Sequence, residues 1–190
     1  MSNTWKKGRG RLGVLKPLLG QWQTRAESDL GPVRCTRIFE AVMGGSYVQL
    51  RARWEYGDPS SGQTRKPYEE IALIGAGDDG TVTFWSFTSD GKRSVGRLAD
   101  VGDCHSEAIG FEAQMPAGLA RMVYWPAEDD GFIWVVEARN AKGWSRFLEH
   151  HYRPLRNQGD LRKEFNSASG VPPWQGVRAG PLVVLTFRRR

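Results

Sequence analysis

The sequence predicts an all-β protein: about ten antiparallel strands in an up-and-down barrel, with a short helical plug at the N-terminus. Three observations carry that expectation. Val48, Leu50, Ala52, Trp54 and Tyr56 alternate with Gln49, Arg51, Arg53 and Glu55, the two-residue period of a half-buried strand. Turn-forming clusters interrupt the chain at spacings of roughly 10–15 residues, as in barrels and sandwiches. Between those clusters no helical periodicity intervenes, so each strand should pair with the next.

Taken in order, Leu12, Leu15, Leu18 and Leu19 form a short apolar stripe that stops at Gly20, with Pro17 limiting regular helix to a turn or two. Strands are expected at 19–28, 33–41, 48–56, 68–76, 81–88, 93–101, 107–114, 119–126, 132–138 and 144–153. Asp78-Asp79-Gly80, Ser89-Asp90-Gly91, Asp129-Asp130-Gly131 and Asn140-Ala141-Lys142-Gly143 supply residues that tolerate positive φ between them. Gly57–Gly62 reads as a longer loop. Closing such a meander removes its two exposed edges. The barrel is expected to span 12–155, with a basic arm at 1–11 and a basic extension at 156–190, whose run 181–187 is a candidate edge strand.

Composition narrows the class. Of 190 residues 39% are hydrophobic and 25% charged, which excludes a disordered chain. No apolar run reaches the ~18 residues of a spanning helix. The formal net charge of +6 belongs to the ends: residues 17–153 hold 15 basic and 19 acidic side chains. Nucleic-acid binding would therefore rest on the arms alone and is not expected of the barrel. Cys35 and Cys104 form no CxxC, and the N-terminus lacks an apolar signal region, so a cytoplasmic protein is expected.

Four segments resemble a family. Leu18-Leu19-Gly20-Gln21-Trp22 is similar to the opening strand of calycin-type barrels, and Phe39-Glu40 with Gly44-Gly45-Ser46-Tyr47-Val48 to a hairpin of lipocalin-like bacterial domains of unknown function. Thr83–Gly91 resembles their central hairpin and Trp144–Arg153 their closing strand. The resemblance implies a barrel that binds a small apolar molecule. Nitrobindin-type haem barrels share the superfamily and use a histidine near the C-terminal strand, about where His150 and His151 stand. The chain departs from that pattern after Trp22, where Thr24-Arg25-Ala26-Glu27 replaces a glycine-rich run.

The candidate residues follow from strand parity. Six of the eight tryptophans fall on expected strands, and Trp22, Trp54, Trp85 and Trp134 are the expected wall of a ligand pocket. Arg146 and Tyr152, read as sharing one face of the last strand, are expected to hold a carboxylate as fatty-acid-binding barrels do. His150 and His151 must point to opposite faces, so only one can enter the cavity and act as the alternative haem ligand. Arg51 and Arg53 are expected in solvent, while Glu40 and Glu112 would matter only if buried. Cys104-His105 is a weak dyad candidate, and no zinc pattern or nucleophile motif is present. The expected function is non-catalytic binding of a small hydrophobic ligand without a cofactor. Haem is the alternative, and the oligomeric state, a homodimer included, is left open.

Overall fold

The computed structural model describes residues 5–28, 31–57 and 66–155. The expected extension 156–190 and most of the 57–62 loop lie outside the described residues. Ten antiparallel strands form one closed barrel: β1 (Gly20–Ser28), β2 (Gly31–Val42), β3 (Tyr47–Tyr56), β4 (Tyr68–Ala76), β5 (Val82–Thr88), β6 (Arg93–Ala99), β7 (Ile109–Met115), β8 (Gly118–Pro126), β9 (Phe132–Asn140) and β10 (Gly143–Pro154). Each strand pairs with its sequence neighbours. The ring closes where Trp22 and Gln23 of β1 meet Pro154 and Arg153 of β10, and the Leu155 N–H extends the seam by donating to the Gln21 carbonyl at 2.8 Å.

Alternation decides which side chains enter the barrel. Val33, Cys35, Arg37 and Phe39 of β2 point inward, as do Val48, Leu50, Ala52, Trp54 and Tyr56 of β3, all buried. At one end the N-terminal segment closes the opening. Arg11–Leu18 forms the expected short helical segment as a 3-10 helix and contains Pro17, whose missing N–H limits regular helix. Leu15 and Leu18 are completely buried in the core beneath it. Trp5 reinforces the plug by donating its indole N–H to the Glu107 carbonyl at 2.9 Å. Among the described residues no helix is long and apolar enough to cross a membrane, which says nothing of strands.

Towards the opposite end the interior side chains are less deeply buried. Ala26, Tyr68, Met122 and Val136 pack on the interior cluster yet remain partly exposed. A small second core lies outside the wall, where residues 100–108 fold back over Val123 and Val135 and bury Val101. That fold-back is why β6 stops at Ala99 and β7 starts at Ile109, shorter than the expected 93–101 and 107–114.

Candidate functional site

Arg37 is the one charged side chain on the inward phase of β2, and it is completely buried. It is in register with Ala52 of β3, whose small side chain leaves room beside it. The guanidinium reaches across the lumen and stacks over the Trp134 ring of β9, 3.8 Å from its centroid, with Trp54 and Tyr152 each at 5.3 Å. Its Nε donates to the Tyr152 hydroxyl at 3.0 Å and its Nη1 to the Tyr124 hydroxyl at 3.1 Å. Nη2 has no partner.

Every group in direct contact with that cation is neutral near pH 7. Burial pushes the Tyr124 phenol up to about 12 and the Tyr152 phenol well above its ordinary value, against the opposing pull of Arg37. Burial likewise lifts the Cys35 thiol to about 11, again against Arg37. His150 is pushed down to about 4, first by burial and then by the Arg37 charge. The interior carboxylate Glu70, two strands away on β4, accepts from Ser86 Oγ at 2.5 Å and acts on Arg37 only through space. Among the described residues no carboxylate lies within 4.0 Å of the guanidinium. An unpaired buried charge costs several kcal/mol by order of magnitude, and stacking on Trp134 returns only about 2 kcal/mol.

The surroundings repeat the pattern. Trp54 Nε1 and both ring nitrogens of His150 are buried without a hydrogen-bond partner, and Trp134 Nε1 has only the Tyr124 hydroxyl near it. The His150 ring lies 5.9 Å from Trp134 and 6.3 Å from Tyr152. Buried polar groups in folded proteins are nearly always satisfied. Several buried polar groups around one cation thus lack a protein partner.

The expected residues divide between the two faces. Trp22, Trp54, Trp134, His150 and Tyr152 are interior and buried. Trp85 is on the outer face, beside Tyr47 at 6.4 Å and opposite Leu73 and Val95. Arg146 is also outside, ion-paired to Glu137 at 3.0 Å and Glu149 at 2.7 Å, so it does not share a face with Tyr152. The cause is a bulge at Phe147 between Arg146 and Leu148, which reverses the strand's parity. His151 faces out and bonds to Asp129 at 2.7 Å. His150 offers a neutral nitrogen on a ring flanked by Trp134 and Tyr152.

Other candidates separate from the lumen. Arg51, Arg53 and Glu40 are exposed. Cys104 contacts Arg121 and Glu137 rather than His105, whose Nδ1 accepts from the Glu107 N–H. No group of three or more His, Cys, Asp or Glu side chains among the described residues is placed to hold a metal. A depression of about 760 Å³ lies against the N-terminal segment, lined by Gly8, Gly10, Gly13 and their neighbours, away from Arg37. Arg37, Tyr124 and Cys35 escape a reading of the sequence alone. The available signal is a lone arginine on the apolar phase Val33-Cys35-Arg37-Phe39. No family model matches this chain, and no curated protein does.

Proposed function

We propose that the barrel binds a small, largely apolar molecule through its mouth, without catalysis, and that Trp54, Trp134 and Tyr152 form the floor of the site. One observation carries this reading: buried polar groups without partners cluster around Arg37 beneath a rim of partly exposed apolar side chains. A fully satisfied apolar core would serve a scaffold role better, because each orphan costs about 1–3 kcal/mol of stability. The two phenols and the thiol, held neutral by burial, offer neither a base nor a nucleophile near pH 7.

The test uses a neutral apolar dye, N-phenyl-1-naphthylamine, titrated into the whole chain. Saturable binding of about one dye per chain, with tryptophan quenching and no chemical change in the dye, is expected. Met122→Glu and Val136→Glu, which place charge in the mouth, should weaken it at least about tenfold. Binding that ignores both variants, or no saturable binding, would refute the reading.

A second reading, haem held through His150, is supported by the neutral ring with two unpartnered nitrogens. It is opposed by the packing around that ring. A Soret band that develops with micromolar haem and disappears in His150→Ala, but not in His151→Ala, would favour it. The absence of a band would remove it.

A further inference from the structure

We infer that the interior site selects a monocarboxylate, with the ligand's head group on Arg37 and its apolar tail directed at the mouth. This rests on the reading that the barrel takes a small apolar ligand, and it adds the charge and chemistry of the head group. The guanidinium has already used Nε and Nη1 on two neutral phenols, which leaves Nη2 as its free donor. The indole N–H of Trp54, on a ring packed beside the same guanidinium, is a further free donor, while that of Trp134 lies against the Tyr124 hydroxyl. Neutral His150 adds an N–H on whichever nitrogen carries its proton. The free groups are thus overwhelmingly donors, gathered near one positive charge that has no carboxylate within 4.0 Å among the described residues. An acceptor-only, singly charged group answers both deficits at once.

Charge count separates the classes of anion. One guanidinium balances one negative charge. Glu70, on β4 beside Ser86, already acts on the guanidinium through space, so it opposes the second charge of a dianion more than the single charge of a carboxylate. An alcohol or ester would supply an acceptor but leave the cation unpaired. The rim residues Met122, Val136 and Tyr68 are apolar surface suited to a hydrocarbon tail rather than to a bare inorganic ion.

The experiment compares octanoate, 1-octanol and inorganic phosphate by calorimetry on the whole chain. Octanoate should bind at least about tenfold more tightly than octanol, the scale of a charge-assisted hydrogen bond. Phosphate should bind more weakly than both. Arg37→Met should abolish the difference between acid and alcohol while octanol binding survives. Tyr152→Phe keeps the cation and releases its Nε, so it should preserve the preference for the acid. Should Arg37→Met fail to fold, the wild-type comparison and the Tyr152→Phe result still decide.

Equal binding of octanoate and octanol would overturn the carboxylate assignment while leaving an apolar-ligand barrel standing. Binding of neither would overturn both. Phosphate binding as tight as octanoate would overturn it in favour of an inorganic-anion site.

Discussion

Arg121 and Glu137 meet across β8 and β9 on the outside of the barrel at 2.7 Å, with side chains only 3% and 6% exposed. The same guanidinium grips Asp103 with two bonds, of 2.9 and 2.7 Å, and lies over the Trp144 ring at 4.1 Å. Residues 100–108 are thereby latched to the wall. Unlike the interior Arg37, this buried cation is fully paired with carboxylates, as a structural latch requires.

The latch makes the first prediction. Glu137→Gln keeps the volume and removes the charge that compensates Arg121, and should lower the unfolding free energy in urea by about 3 kcal/mol. Asp103→Asn should cost less than about 1 kcal/mol, because that carboxylate is 56% exposed and screened by water. Equal losses would refute the division. Burial alone would raise the Glu137 carboxyl, but its bonds from Arg121 and Arg146 outweigh burial and hold it below its ordinary 4.5. A lowered folded value means that this stabilisation is complete above about pH 4.5 and fades as the pH falls through the folded pKa.

His150 has its own pH signature. Its ring is held neutral in the fold down to about pH 4, whereas the unfolded chain takes up the proton near 6.5. Below 6.5 the unfolded state therefore binds more protons, so stability must decline as the pH falls from 6.5 towards 4. The limiting loss is about 3 kcal/mol, from roughly 1.4 kcal/mol per unit. His150→Phe, an aromatic replacement among aromatic rings, should remove this share of the slope in denaturant titrations across that interval. The His150 ring proton resonance should titrate near pH 4. A His150 resonance that titrates near 6.5, or an unchanged slope in the variant, would refute the assignment.

The barrel was legible in the sequence because its information is local. Alternation on β3 places Trp54 inward and Arg53 outward, and Asp-Gly turns mark the hairpins. The candidate site was legible only in part. Trp22, Trp54, Trp134 and Tyr152 lie inside as expected, and parity admits one of His150 and His151, but Arg146 lies outside, since one extra residue at Phe147 turns it to solvent with no sign in the composition. Trp85 misled for another reason. It alternates out of phase with the inward Phe84, and a tryptophan on a strand carries no label for which face is the lumen. Arg37 stayed hidden because its partners, Tyr124 and Tyr152, stand 87 and 115 residues away along the chain, joined only by barrel closure.

The turn between β8 and β9 supplies the last prediction, and it concerns room rather than dihedral preference. In Asp129-Asp130-Gly131 the residue with positive φ is Asp130, at 59°, and not the glycine. Gly131 is required for a different reason: a Cβ there would stand 2.2 Å from the Tyr152 carbonyl oxygen, a backbone atom of β10 with nowhere to retreat. Gly131→Ala should therefore destabilise the protein by about 1–3 kcal/mol, read as a lowered Tm. It should also disturb near-ultraviolet circular dichroism, because β10 carries Tyr152 against Phe132 at 5.1 Å between ring centres. Asp130→Gly, which relaxes the dihedral without adding an atom, should stay within about 1 kcal/mol of the parent. If alanine at 131 proved harmless, the close approach of β10 to this turn would be wrong, and with it the β9–β10 register that brings Tyr152 to Arg37.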